Sequence, residues 1–237
     1  MTSATKTAAG SPGEAGRFAL FVDLFKTWLL NFEVNSQFFV EIMNDEELPL
    51  AARTLAVGIL AYVLSPIDLI PEKIKALRVV ALLDDVVIMI IGQSIIVPLM
   101  PESRREHYKQ KYEAVAQISD YEETLKTTLG ILWDTLVQFV ENLRQRSYKK
   151  QTAEEIASSS ELREDLFDET MIYVANLNLD PATLDQELKA LPSPEKVIGL
   201  LAGGVEEEQK RREKVSIATK SRSVFKRMLP SGKESTE

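Results

Sequence analysis

The sequence predicts an all-α fold: a helical bundle around a central apolar helical hairpin, with a small helical module toward the C-terminus. Three observations carry that expectation. Apolar residues recur at three- and four-residue steps through most of the 237-residue chain. Helix-start signatures, an oxygen-bearing side chain followed by a first-turn proline, stand at Ser65-Pro66, Asp180-Pro181 and Ser193-Pro194. No alternating stretch is long enough for a substantial strand, and no internal repeat is visible.

Met1 to Gly16, rich in Ala, Thr, Ser and Gly, reads as a disordered lead-in rather than a secretory signal, because Asp23 and Lys26 interrupt the apolar run that follows. Residues 17–150 read as one helical domain. In its first part, 17–43, Phe18, Phe21, Val22, Phe25, Trp28, Leu29 and Phe32 fall on one face, and Phe38, Phe39, Ile42 and Met43 extend the stripe. That face suits a core, with a headgroup layer as the alternative. Asp45 reads as the N-cap of the next helix, with Glu46 and Glu47 in its first turn. This helix runs to Leu64 through small residues (Ala51, Ala52, Ala56, Gly58, Ala61) that permit close approach of a partner. In the turn after it, Ser65 reads as N-cap, Pro66 as first-turn proline and Asp68 as the reciprocal carboxylate. A second apolar helix is expected from Val79 to Val97, closed by Pro98 and Pro101.

Charged helices follow. Residues 102–118 carry Arg104, Arg105, Lys109 and Lys111, and Ser119 or Asp120 with Glu123 resembles a capping box. Leu125, Leu129, Leu132, Leu136, Phe139 and Leu143 are spaced as an a/d seam along a helix over 121–148. Packing within the chain and a coiled-coil partner or homo-oligomer both fit that seam. Residues 151–160 read as a linker and 161–204 as the small module, with Gly203-Gly204 breaking its last helix; 205–237 is a charged, basic tail.

Tyr62, Ser65, Pro66, Asp68, Leu69, Ile70, Pro71 and Glu72, followed by Asp84-Asp85, resemble the YkvA-like family, a bacterial domain of unknown function, over about residues 46–98. The hallmark of that family is a tyrosine, a Ser-Pro-x-Asp-Leu-Ile-Pro-acid turn and a later Asp-Asp pair between two apolar helices. Departures are Glu72 for the usual aspartate, Lys75 where a proline is common, no glycine before the acidic pair, and a longer gap from Pro71 to Asp84. The resemblance implies membrane association through the hairpin and no assigned activity. Length argues against a full double span: Val86 to Met100 makes about 22 Å of helix against roughly 30 Å of hydrocarbon. Extending it backward brings in Asp84 and Asp85 at roughly 3 kcal/mol each.

The chain contains no cysteine and one histidine, His107, which excludes disulfides, thiolate metal sites and multi-histidine metal chemistry and leaves His107 as the one histidine a Ser-His-Asp arrangement could use. Net charge of −8 argues against nucleic acid. Asp68, Glu72, Asp84 and Asp85 are candidate ligands for a divalent cation; capping or buried hydrogen bonding is the favoured role, and no metal, cofactor or catalytic residue is assigned. Lys210, Arg211, Arg212, Lys214, Lys220, Arg222, Lys226 and Arg227, interleaved with apolar residues, are candidates for contact with anionic lipid. The expectation is a non-enzymatic, membrane-associated scaffold or adaptor on the cytoplasmic side, with 121–148 as interaction surface. The alternatives are a soluble, cytoplasmic regulatory interaction module and a divalent-cation-dependent enzyme or ion-handling protein.

Overall fold

The computed structural model describes residues 13–65, 69–70, 78–189 and 191–228, without the side chains of Glu14, Ala15, Arg78, Pro194, Arg212 and 215–228. The architecture is all-α. Helices α1 (Glu14–Leu30) and α2 (Phe32–Asn44) meet at Asn31, whose Nδ2 donates to the Thr27 carbonyl at 2.9 Å. Helix α1 therefore begins inside the stretch expected as a lead-in, of which residues 1–12 lie outside the described residues. The aromatic stripe faces inward, with Phe21, Phe25, Trp28, Phe32, Phe38 and Phe39 all buried.

Asp45 ends α2 instead of starting the next helix: its N–H donates to the Glu41 carbonyl. Pro49, which pre-sets φ for a helix start, then precedes α3 (Leu50–Val63). After the turn, α4 (Arg78–Ala81) is a single turn, and α5 (Leu83–Leu99) begins beyond Leu82. Pro98 sits inside the last turn of α5 rather than terminating it.

The hairpin α3/α5 is the centre of the fold. Helix α3 lies against α2, and α5 packs on α3 and on α1. Being enclosed on all sides, α5 is apolar all round and has no polar face. Gly92 permits the close approach of α5 to Ile59 of α3, since a Cβ at Gly92 would stand 2.1 Å from Ile59 Cδ1.

Helices α6 (Glu102–Lys111) and α7 (Glu113–Ala116) lead to α8 (Ile118–Leu129), which Gln117 precedes; neither Ser119 nor Asp120 caps it. The heptad seam is not one helix. Gly130, at φ 55°, turns the chain between α8 and α9 (Leu132–Glu141), and a 3-10 turn follows over Asn142–Gln145. Leu125, Leu129, Leu132, Leu136, Phe139 and Leu143 are all buried, and both helices pack on α5. The seam expected as an interaction surface is thus spent on the chain's own core.

Strands β1 (Ser147–Tyr148) and β2 (Gln151–Thr152) form a two-residue hairpin. Residues 151–160, expected as a linker, instead supply β2 and α10 (Ala153–Ser158). A Thr152–Glu155 capping box starts α10, whose Ala153, Ile156 and Ala157 are buried against α3. Helices α11 (Ser160–Leu177), α12 (Pro181–Leu188) and α13 (Pro194–Met228) complete the fold. Asp180 Oδ2 accepts from the Thr183 N–H at 2.9 Å, as its Asp-Pro signature predicts.

The Gly203-Gly204 pair does not break α13. Gly204 lies where α13 crosses the turn after α3, and a Cβ there would stand 1.8 Å from the Leu69 carbonyl oxygen. A Cβ at Gly203 would meet nothing within 4 Å. One glycine of the pair is thus demanded by close approach, at the helix-propensity cost that suggested a break.

Candidate functional site

Tyr62 is fixed in the last turn of α3 and Asp84 in the first turn of α5, so the hairpin brings the two together at its polar end. Asp84 is fully buried. Its Oδ2 accepts from the Tyr62 hydroxyl at 2.8 Å, the Leu69 N–H at 2.7 Å and the Ile70 N–H at 3.3 Å. A carboxylate out of water needs such donors, because an unmet oxygen there costs a large desolvation penalty. Asp84 therefore does not cap its own helix, although its first-turn position suits the helix dipole. It reaches across the hairpin and pins the backbone of the turn. The Leu69 N–H also lies 3.0 Å from the Tyr62 oxygen.

Around this hub, the Arg146 guanidinium lies over the Tyr62 ring at 5.3 Å and donates to Ser65 Oγ at 3.0 Å. Phe139 meets the same ring edge-on, and Gly204 of α13 covers the Leu69 carbonyl from outside. Burial first, then the fields of Asp84 and Asp85, push the Tyr62 phenol well above its usual pKa, so it stays a proton donor. Asp85 is buried beside Asp84. Two turns on, Gln93 is buried too, and its Oε1 has no hydrogen-bond partner among the described residues.

Of the motif residues, the structure brings together Tyr62, Ser65, Asp84 and Asp85. Pro66, Asp68, Pro71 and Glu72 lie outside the described residues, so the expected capping by Asp68 and the four-carboxylate set do too. No group of three or more His, Asp or Glu side chains poised for a metal occurs among the described residues.

No family model, no curated protein and no solved structure matches this chain. The likeness to the YkvA-like family over 46–98 rests on its residues alone.

A second polar hub escaped the sequence reading. Asp45 is buried where α2 ends, and its carboxylate accepts from Arg104 through Nε (2.8 Å) and Nη2, from the Tyr108 hydroxyl (3.0 Å) and from the Glu47 N–H (3.1 Å). Burial and the Asp45 hydrogen bond raise the Tyr108 pKa. Arg53 donates to the carbonyls of Met43 and Ala157 at the C-terminal ends of α2 and α10, where the helix dipole favours a cation. The Arg104–Tyr108 spacing of four, which places both on one face of α6, was the available signal.

The lipid-surface candidates all lie on α13. Val197, Leu201 and Val205 seat its first third in the core. Beyond them Lys210, Arg211 and Lys214 are exposed. Lys210 pairs with Glu206 at 3.8 Å and Arg211 with Glu207 at 3.9 Å. Arg212, Lys220, Arg222, Lys226 and Arg227 follow on the same helix, with side chains outside the described set. His107 is exposed among the cations of α6.

By length and composition Val79–Leu99, with mean hydropathy 2.2, could cross a membrane; 83% of that window is buried inside the fold.

Proposed function

We propose that the chain is a non-enzymatic helical scaffold that rests on anionic membrane surfaces through the second half of α13. The hairpin of the YkvA-like resemblance serves as its core rather than its anchor. The observation that carries this reading is the division of α13 at Val205. Before it the helix is seated in the body; after it the described positions are exposed apart from half-buried Glu208, and eight of the next 22 residues are cationic. After Gln209 there are nine cations against three acids; with −8 for the whole chain, the first 209 residues hold −14. A basic helix on an acidic body orients the protein, arm toward an anionic surface and body away from it. Over 217–228 the positions of Ile217, Ala218, Val224, Phe225 and Met228 fall within an arc of about 120° at helical pitch, so the last turns of the arm have an apolar side suited to an interface. The anionic leaflet reading places the protein on the cytoplasmic side.

The burial of α3 and α5 speaks against insertion of the hairpin. The three donors on Asp84 Oδ2 give that carboxylate a structural task, which favours the scaffold over the cation-dependent enzyme. The test is co-sedimentation with phosphatidylcholine vesicles, with and without phosphatidylserine. Binding should require the anionic lipid and weaken as salt rises. Lys220→Glu with Lys226→Glu should lower it at least several-fold. Equal binding to both vesicle types, or none to either, overturns the reading.

A further inference from the structure

Helix α11 carries the opposite charge to the α13 arm. Its Leu166, Thr170 and Val174 are buried, and α11 packs on α2 and α10. On the other side Glu161, Asp165, Asp168 and Ile172 follow one another at steps of four, three and four, an unbroken outer stripe with Glu164 at its edge. All five are exposed, and none of the four carboxylates is engaged in an ion pair among the described residues. Ile172 is 63% exposed in this stripe and Phe167, at its flank, 39% exposed. Four unneutralised carboxylates leading into an exposed isoleucine, with Phe167 at the flank, form a face that water alone does not explain: charge for solubility needs no isoleucine at its end.

From this complementarity we infer that the outer face of α11 is the docking site for the α13 arm of a second copy of the chain. The fit is in charge, pattern and length. The arm over 210–228 holds eight cations and one acid, with apolar positions at helical spacing. Its 19 residues span about 28 Å, and the 18 of α11 about 27 Å. Arm and acceptor are unlike surfaces, so the contact joins copies head to tail and the size of the assembly rises with concentration. The inference rests on the outward arm of the scaffold reading. It adds a regulation, since the same cations cannot face α11 and lipid at once, and anionic vesicles should disperse the assembly.

The test uses the full chain in sedimentation velocity at about 50 mM and about 500 mM salt, where screening differs severalfold. Wild type should associate with rising concentration at low salt and run as a monomer at high salt. Asp165→Lys with Asp168→Lys should weaken association at least tenfold, as should Lys220→Glu with Arg222→Glu. A mixture of the two variants should associate again, because each supplies the charge the other lost. The α11 variant should bind phosphatidylserine vesicles like wild type, since its arm is intact. A wild-type monomer at low salt, or association indifferent to the α11 charges, overturns the inference and leaves the lipid reading standing. Normal self-association without vesicle binding removes the lipid reading alone.

Discussion

Two buried aspartates hold this molecule together by different means. Asp84 accepts from a tyrosine hydroxyl and from two backbone N–H groups of the turn after α3. Asp45 accepts from a guanidinium, a tyrosine hydroxyl and one backbone N–H. The first is sealed in the core; the second lies at a rim, where the side chain of Arg104 keeps 29% of its surface in water. The difference teaches where a carboxylate shapes the backbone and where it only fastens side chains. Removing Asp84 strands donors that cannot move, whereas removing Asp45 frees an arginine that can turn outward.

That comparison forecasts a ranking. Asp84→Ala should be the most damaging, costing roughly 3–5 kcal/mol in urea unfolding, because it leaves a hydroxyl and two N–H groups without their acceptor. Asp84→Asn should still cost at least about 1 kcal/mol, as the amide is a weaker acceptor than the carboxylate; a neutral Asn variant would reduce the hub to simple capping. Next comes the cover of the hub. Gly204→Ala should lose roughly 2–3 kcal/mol or visibly displace α13, since its Cβ would collide with backbone rather than a pliable side chain. Gly203→Ala, with open space around it, should gain up to about 1 kcal/mol from helix propensity.

At the rim, Asp45→Ala should cost about 1–2 kcal/mol, chiefly from the stranded Tyr108 hydroxyl. A loss equal to that of Asp84→Ala would erase the distinction between the hubs. The smallest effect near neutrality concerns the phenols. Tyr62, Tyr108, Tyr112, Tyr121 and Tyr148 all have raised pKa values, through burial first and neighbouring carboxylates second. Each holds its proton in the folded chain at a pH where the unfolded chain has released it. Their stabilisation is therefore complete below about pH 10 and is lost as pH climbs toward the folded values. Phenolate absorbance should lag that of free tyrosine and then rise together with loss of helical circular dichroism. Early, gradual ionisation would show that these hydroxyls are open to solvent.

Much of the architecture was legible because it is written in local chemistry. The Asp180-Pro181 and Ser193-Pro194 starts, the inward aromatic stripe of α1 and α2, and the apolar α3 and α5 all followed from spacing and caps. What failed did so where tertiary contacts overrule local preference. Asp45 has every mark of an N-cap, but Pro49 starts α3 instead and the carboxylate is claimed by Arg104, far away in sequence. The heptad over 125–143 is real as a buried row, yet Gly130 folds it back on its own core. The 151–160 stretch is polar by composition, and three small or apolar side chains sufficed to dock it on α3. At the hub, Tyr62 and Asp84 of the motif meet in a hydrogen bond, but only the fold shows that the acceptor serves the turn rather than its own helix.

The seat of Gly204 on the Leu69 carbonyl also sets an order of events during biosynthesis. The partners Tyr62, Leu69 and Asp84 leave the ribosome close together. The helix that covers them is made after more than a hundred further residues, an interval on the order of ten seconds at ordinary elongation rates. For that time the nascent chain carries a finished carboxylate clamp under an open roof, with the apolar walls of α5 still awaiting α8 and α9. Chains that stop short of Gly204 would keep that roof open for good.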